Sequence, residues 1–219
     1  MSRLLIVGAG GHGKVTLDCA LENKKYRRIA FLADDEAVGG ELAGHPVLLE
    51  SRNSLERLAG EFDEFIIAVG DNHIRMEKTD HFIANGLRPA TLIHPGAAVS
   101  AFAEISPGTV IFANAVVNAF AVIGRSCIIN SGAVVEHDCV IGDGAHISPK
   151  VALGGSVSVG QKSWLCLGSI VANNLRIGAE TVIGAGAVVL RDVPDGVLAA
   201  GVPAVIRKRY PKDASSIEI

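Results

Sequence analysis

The 219-residue chain has few aromatic residues, about 5% of the total, and no excess of either charge. Its 20 basic residues are balanced by 23 acidic ones, which leaves a formal net charge of −3 at pH 7. That balance provides no electrostatic footprint for nucleic acid or for an anionic membrane. No apolar run approaches the roughly 20 residues of a membrane-spanning helix, and we expect no signal peptide before Leu4. The sequence therefore predicts a cytoplasmic protein with no membrane span and no nucleic-acid partner.

What the chain has in abundance is a six-residue repeat between Val99 and Val189. Every sixth residue in this stretch is Ile, Val or Leu, and the residue four positions later is small or compact, with Leu175 as the exception. A period of six fits neither a helix nor a two-faced sheet, whose periods are about 3.6 and about 2. It fits short parallel strands wound around a three-sided prism, with about 18 residues in each coil. The repeat therefore predicts a parallel β-helix of about five coils.

Cysteine is scarce and its placement argues against a disulfide framework or a zinc site. Of the four cysteines, Cys127 and Cys139 fall on the small inward positions of the repeat, and Cys19 falls in a predicted helix. We interpret them as small hydrophobic residues. Cys166 has no such assignment.

The segment before the repeat begins as a strand, a glycine-rich turn, a helix and a second strand. The strand at residues 4–7 runs into G-A-G-G-H-G-K, a helix follows through Glu22, and a strand at residues 29–32 ends at Asp34 and Asp35. The glycines match G-x-G-x-x-G, a turn that brings backbone N–H groups and a helix N-terminus to a phosphate, with the acids placed for a ribose or base. The simpler alternative is that the glycines only make a tight turn.

A third strand at residues 65–69 leads into Gly70 and a polar helix that we expect to end near Asn85. About 90 residues are too few for a complete dinucleotide fold, which argues against hydride transfer. We therefore predict an α/β half-Rossmann nucleotide-binding domain at residues 1–92, a β-helix domain at 93–205 and a C-terminal tail at 206–219.

Two histidines lie within the repeat, and their spacing is informative. His137 is flanked by Glu136 and Asp138, and a neighbouring carboxylate strengthens a histidine as a general base. The alternative is an ordinary surface histidine. His146 comes nine residues later, half a coil away, so both cannot easily face one pocket of a single prism.

Apolar residues also precede many of the inward aliphatic positions and should point outward, which predicts self-association. These residues are Val110, Val116, Val122, Ile128, Val134 and Val140. We expect His137 of one chain to approach His146 of a neighbouring chain across a groove between subunits.

Several motifs taken together resemble one bacterial family over nearly the whole chain. They are G-A-G-G-H-G-K, F-L-A-D-D, I-A-V-G-D-N, V-V-E-H-D-C-V-I-G-D-G-A-H-I-S-P and G-V-P-A. The sequence is similar to sugar-nucleotide N-acetyltransferases, the group that acetylates UDP-4-amino-sugars and is sometimes grouped with sialic acid O-acetyltransferases. The resemblance implies a left-handed β-helix, although general chirality rules favour right-handed crossovers. It also implies a homotrimer with acetyl-CoA between adjacent β-helices and no metal.

The same resemblance assigns roles to individual positions. His137 would be the base and Asp138 the carboxylate that increases its basicity. Contacts with acetyl-CoA would come from His146, Gly155, Leu167 and Ala185, although the family often has glycine at the last position. Contacts with the nucleotide-sugar would come from Gly10, Gly11, His12, Asp34, Asp35, Gly70 and Asn130. The implied reaction is direct transfer of the acetyl group to a sugar 4-amino group.

Three alternatives remain at this stage. An O-acetyltransferase of sialic acid or another glycan precursor would use the same base. A zinc carbonic anhydrase on the same β-helix needs three histidine ligands, whereas the repeat offers two. A non-catalytic nucleotide-sugar-binding protein would need neither histidine for chemistry.

Overall fold

The N-terminal domain is a five-stranded sheet flanked by helices. The computed structural model describes residues 1–34, 40–50 and 54–210. In order along the chain, the elements of this domain are β1 (Ser2–Val7), α1 (Gly11–Glu22), β2 (Tyr26–Ala33), β3 (Gly40–Leu42), β4 (His45–Leu49), α2 (Leu55–Glu61), β5 (Glu64–Ile67) and α3 (Asn72–Ala84). The sheet order is β3-β4-β2-β1-β5, and only the β3–β4 pair is antiparallel. The three predicted strands and both predicted helices are confirmed. The β3–β4 hairpin and α2 were not predicted, because elements this short give only a weak pattern in the sequence.

The repeat folds into a three-faced prism of two-residue strands. Its strands are β6 (Leu92–Ile93), β7 (Ala98–Val99), β8 (Glu104–Ile105), β9 (Val110–Ile111), β10 (Val116–Val117), β11 (Val122–Ile123), β12 (Ile128–Ile129), β13 (Val134–Val135), β14 (Val140–Ile141), β15 (His146–Ile147), β16 (Ala152–Leu153), β17 (Ser158–Val159), β18 (Trp164–Leu165), β19 (Ile170–Val171), β20 (Arg176–Ile177), β21 (Val182–Ile183) and β22 (Val188–Val189). Face one holds β6, β9, β12, β15, β18 and β21. Face two runs from β7 to β22 and face three from β8 to β20, again by every third strand. The aliphatic residues that were predicted to face inward stack in columns inside the prism. Ile111, Ile129 and Ile147 belong to one such column and have no exposed surface.

The turns of the prism follow the same period. From Gly108 to Gly186, every sixth residue adopts a positive φ, including non-glycine residues such as Asp138 at 59°. Because each of these residues stands three positions after an inward aliphatic, the left-handed conformation is imposed by the corner and not by glycine content. The repeat therefore dictates where each corner side chain points.

The α/β domain covers part of face one, which corrects the prediction that the outward apolar residues of all three faces are available for self-association. Val110 and Ile128 are 2% and 0% exposed because they pack into one core cluster with Leu4 and Leu17 of the α/β domain. On face three, by contrast, Val140 is 50% exposed. Self-association can therefore use faces two and three but not this part of face one.

The ends of the β-helix differ from the predicted boundaries. Strand β6 pairs with β9 of face one, so the predicted boundary after residue 92 falls inside a strand of the helix. At the other end, β23 (Val197–Ala200) pairs with β21, and β24 (Val205–Arg209) pairs antiparallel with β23. Residues 206–209, predicted as tail, therefore belong to an edge strand.

The four cysteines are buried, and each has a free thiol. Burial raises the pKa of Cys166 to about 11, so its thiol is protonated at neutral pH. Within the described ranges, no helix combines the length and apolar character that crossing a membrane requires.

Candidate active site

His137 lies at the corner between faces two and three, in the turn that follows β13. Its Nδ1 is 2.7 Å from Asp138 Oδ2, and its side chain is 59% exposed. Because a carboxylate accepts a hydrogen bond, Nδ1 carries the proton and Nε2 keeps its lone pair. The geometry leaves an oriented imidazole with an unprotonated Nε2 on an exposed corner.

Gly155 lies one coil further along this corner and makes room for the histidine ring. A Cβ built on Gly155 would be 2.6 Å from both Cε1 and Nε2 of His137. Gly155 has no positive φ, so the constraint is steric contact with the ring and not backbone conformation. The predicted Gly155 position therefore belongs to the His137 corner.

Glu136, the other acid beside His137, has different partners. Its Oε2 accepts hydrogen bonds from Asn118 Nδ2 at 2.8 Å and from the His137 backbone N–H at 3.3 Å. The structure thus assigns the orientation of the imidazole to Asp138 and that of the turn backbone to Glu136.

His146 lies on face one in β15, beneath the α/β domain. Its ring stacks on Trp164 with centroids 5.9 Å apart and planes 6° apart. Burial, followed by the positive charge of Arg75, lowers the pKa of His146 to about 3. The imidazole is therefore neutral across the physiological range.

The tautomer of His146 follows from Asn130, one coil before it on the same face. Asn130 Oδ1 accepts the Ser131 N–H at 2.8 Å, which directs the amide Nδ2 to His146 Nε2 at 3.2 Å. Nε2 is thus an acceptor, so the proton of the neutral ring resides on Nδ1. Nδ1 is buried and has no hydrogen-bond partner among the described residues. A buried donor of this kind is costly unless a ligand supplies the acceptor.

The four predicted acetyl-CoA contacts fall into two groups within one chain. Leu167 and Ala185 lie one coil apart at the corner between faces one and two, where Leu167 is 58% exposed and the Gly186 N–H bonds to the Leu167 carbonyl. His146 precedes this corner on face one, whereas Gly155 lies at the His137 corner. A single prism does not bring the two groups together.

The predicted nucleotide site is a crevice of about 230 Å³ at the carboxyl ends of β1, β2 and β5. Its lining residues are Val7, Gly8, Ala9, Gly10, Ala33, Asp34, Val69 and Lys78. Gly10 is the N-cap of α1 and offers no side-chain cap, so the first N–H groups of the helix are free to meet an anion. A hydrogen bond with Glu50, and then the charge of Lys78, keeps the pKa of Asp34 below its usual range.

The glycines of the turn divide between packing and access. A Cβ on Gly8 would be 2.7 Å from the Ala68 carbonyl oxygen, and one on Gly13 would collide with the Gly8 carbonyl. A Cβ on Gly10 or Gly11 would meet nothing within 4 Å. The tight-turn interpretation therefore accounts for Gly8 and Gly13, while Gly10 borders the open crevice.

Other predicted residues lie at the junction between the domains. His12 packs edge-on against Phe112 of the β-helix with ring centroids 5.5 Å apart, and burial lowers its pKa to about 4. Gly70 lines a second cavity of about 340 Å³ together with His146 and Trp164. Asp35 lies outside the described residues. In the part of the chain that the structure describes, no group of three or more His, Cys, Asp or Glu side chains could hold a metal ion.

Sequence reasoning missed the residues that join the two domains, above all Arg75 and Asn72 of α3. The available signal was a stripe at positions 72, 75, 76 and 79, the spacing of one helix face. Because most of these residues are polar, the sequence predicts only a polar helix here and does not predict that this face is buried.

Fold and site together define a class of protein in which a small nucleotide-binding α/β domain precedes a hexapeptide-repeat β-helix. The PglD N-terminal domain model matches residues 3–82, and the bacterial transferase hexapeptide model matches residues 120–155. Perosamine N-acetyltransferase from Caulobacter crescentus, as a histidine variant in complex with CoA and GDP-perosamine, is 35% identical, with a TM-score of 0.89 over 95% of this chain and 98% of that chain. The acetyltransferase domain of PglB from Neisseria gonorrhoeae, in complex with acetyl coenzyme A, is 36% identical, with a TM-score of 0.87 over 94% and 99%.

The chain belongs to the family of hexapeptide-repeat sugar N-acetyltransferases, which have the left-handed form of the parallel β-helix. Among curated sequences, UDP-N-acetylbacillosamine N-acetyltransferase from Bacillus subtilis is 41% identical over 110 residues, or 48% of this chain and 49% of that protein. The matches span between 26% and 49% of the length of the curated relatives.

Proposed function

We propose that this protein is a cytoplasmic acetyl-CoA-dependent N-acetyltransferase that modifies the 4-amino group of a nucleotide-linked amino-sugar. The acceptor that we favour is a UDP-4-amino-4,6-dideoxyhexose. The observation that carries the proposal is the His137–Asp138 pair at 2.7 Å, which leaves Nε2 as a free base on an open corner above Gly155.

The chemistry is a direct transfer in a ternary complex. The amine nitrogen of the sugar attacks the thioester carbonyl, and His137 Nε2 accepts the proton that the nitrogen loses. The C–S bond then breaks, the acetyl group remains on nitrogen as an amide, and CoA leaves and takes up a proton. Holding both substrates in register supplies a large share of the acceleration.

His146 is assigned to the carbonyl oxygen of the thioester. Its neutral ring carries a proton on a buried Nδ1 that lacks an acceptor, which is the property that a developing oxyanion requires. The exposed Leu167 and Ala185 along the same edge would contact the remainder of CoA.

The assembly that unites these groups is a homotrimer with active sites between subunits. Support comes from the division of the predicted residues between two corners of one prism, and from face two. The outward residues of that face are apolar in every coil: Ala98, Val116, Val134, Ala152, Ile170 and Val188. Such a continuous apolar column favours burial against another copy.

The acceptor is held at its other end by the α/β domain. The uncapped α1 N-terminus at Gly10 suits a diphosphate, and Asp34 with the neighbouring Asp35 suits a ribose or base. Asn130 contacts His146, and Gly70 lines the cavity beside it. Gly11 and His12 lie in the first turn of α1, after Gly10. All four remain predicted sugar-nucleotide contacts.

An acceptor panel tests the proposal. Purified protein is given acetyl-CoA with UDP-, GDP- and dTDP-linked 4-amino-sugars and, separately, with free sialic acids, and CoA release is measured. We expect turnover of a nucleotide-linked amino-sugar and an amide in the product. Turnover of the free sugar acid alone would overturn N-acetylation in favour of an O-acetyltransferase, and nucleotide-sugar binding without any CoA release would indicate a binding protein.

A further inference from the structure

The helix α3 docks on the β-helix through a buried polar face. Asn72, Arg75 and Thr79 are 8%, 1% and 2% exposed, although they are polar or charged. They face the corner between faces three and one, where Thr79 Oγ1 accepts a hydrogen bond from Ser126 Oγ at 3.0 Å. Burial of polar groups is tolerated only when they are hydrogen-bonded, so the hydrogen-bond partners of these residues show how α3 is held on the β-helix.

Arg75 uses its whole guanidinium group. Nε donates to the Ser126 carbonyl at 2.8 Å, and Nη2 donates to the Gly144 carbonyl and to Asn72 Oδ1 at 2.6 and 2.7 Å. Nη1 donates to the carbonyls of Val69 and Gly70, both at 3.0 Å. Nη1 also lies 3.4 Å from the Asp71 carbonyl, so the five N–H donors of arginine meet six neutral oxygens.

Asn72 extends the same contact to the next coil. Its Nδ2 donates to the Lys162 carbonyl at 2.8 Å and to the Ser163 carbonyl at 3.2 Å. Ser126, Gly144 and Lys162 are equivalent positions of three successive coils, each with a positive φ. Together Arg75 and Asn72 fasten the start of α3 to three coils, an arrangement that we name the α3 clasp.

The clasp lies between the nucleotide crevice and the cavity beside His146. Val69, whose carbonyl it holds, lines the nucleotide crevice, and Gly70 lines the cavity beside His146. The backbone at the end of β5 is therefore a ridge shared by the two sites. Its position relative to the β-helix depends on the donors of Arg75, because Arg75 bonds to both sides of the junction.

We propose that Arg75 is a positioning residue, which fixes this ridge so that an acceptor bound by its nucleotide in the α/β domain presents its amine at the β-helix. This inference rests on the proposed function. A displacement of about 1 Å between reacting groups is enough to lower a rate by about 100-fold. We expect the largest effect on the bridging acceptor, because in the proposed function it is the ligand that contacts both domains.

The test compares Arg75→Lys with the wild-type protein. Lysine keeps the charge but has three donors, so it cannot satisfy the six oxygens that surround the guanidinium. We expect kcat/KM for the nucleotide-linked amino-sugar to fall about 10- to 100-fold, while the Kd for UDP and the KM for acetyl-CoA stay within about twofold. Asn72→Ala, which keeps the guanidinium and removes the contacts to Lys162 and Ser163, should cause a smaller loss in the same direction. Arg57→Lys, on the exposed side of α2, is the matched control.

Two results would overturn the inference. One is wild-type kcat/KM in Arg75→Lys. The other is a parallel loss of UDP affinity, acetyl-CoA KM and acceptor turnover, which would indicate general structural damage. If the wild-type protein itself transfers no acetyl group, the proposed function fails, and hydrogen exchange still tests the clasp. Amides at residues 69–72 should then exchange faster in Arg75→Lys than in Arg57→Lys, and equal exchange would contradict the clasp.

Discussion

His137 and His146 are the same residue type in the same repeat, yet their surroundings are opposite. His137 stands on an open corner with a carboxylate 2.7 Å from Nδ1. His146 is half-buried beneath the α/β domain, where burial, followed by the charge of Arg75, lowers its pKa. In the proposed function, the first arrangement provides the base and the second provides a neutral hydrogen-bond donor. The comparison teaches that position on the prism, more than residue type, sets the chemistry of a histidine here.

The largest expected effect comes from removing the base. His137→Ala should lower kcat by about 10²- to 10⁴-fold while the Kd values of both substrates stay close to wild type. Steady-state kinetics with calorimetry of binding checks both statements. His81→Ala, on the exposed end of α3, is the control, and an unchanged kcat in His137→Ala would remove His137 from the mechanism.

The second effect addresses the neutral donor. His146→Phe keeps a ring on Trp164 but removes Nδ1–H, so kcat should fall about 10²-fold, as expected for loss of one oxyanion donor. The measurement is kcat at saturating substrates, with the melting temperature as a check on folding. Full activity of a folded His146→Phe protein would show that His146 only packs.

The low pKa values of His12 and His146 also affect the stability of the folded chain. The pKa of His12 is lowered to about 4 and that of His146 to about 3, from an ordinary value of 6.5. As pH falls below 6.5, the unfolded chain binds protons that the folded chain does not, so the free energy of unfolding decreases. Near pH 5 each histidine should contribute a loss of about 2 kcal/mol. Urea unfolding of wild type and His12→Gln at several pH values checks this, and the variant should show a weaker pH dependence. Identical pH profiles would contradict the assigned burial.

The smallest effect separates the two acids beside His137. Asp138→Asn should lower kcat about tenfold because it removes the carboxylate that fixes the Nδ1–H tautomer. Glu136→Gln, which touches the backbone and Asn118 only, should stay within about twofold. If the two losses are reversed, the orientation of His137 is wrongly assigned.

Features that depend on the local spacing of residues in the sequence were predictable, whereas features that depend on how the α/β domain docks on the β-helix were not. The register of the aliphatic residues, the extent of α1 and α3, and the half-coil offset of the two histidines follow from spacing alone. The burial of Val110 and Ile128 was not predictable, because it depends on where the α/β domain packs against face one. Arg75 was missed for the same reason. In a sequence, an arginine on a polar helix indicates a solvated side chain. The structure shows instead that Arg75 donates hydrogen bonds to the carbonyls of Ser126 and Gly144.

Complementation between the two histidine variants shows directly whether the active site is shared between subunits. His137→Ala and His146→Phe chains are co-expressed with different tags, mixed oligomers are purified, and acetyl transfer to the nucleotide-linked amino-sugar is assayed. If each site takes His137 from one chain and His146 from its neighbour, one of the three sites in every mixed trimer is intact, and activity should return to about one third of wild type. Mixed oligomers no more active than the separate variants would contradict a site shared between subunits.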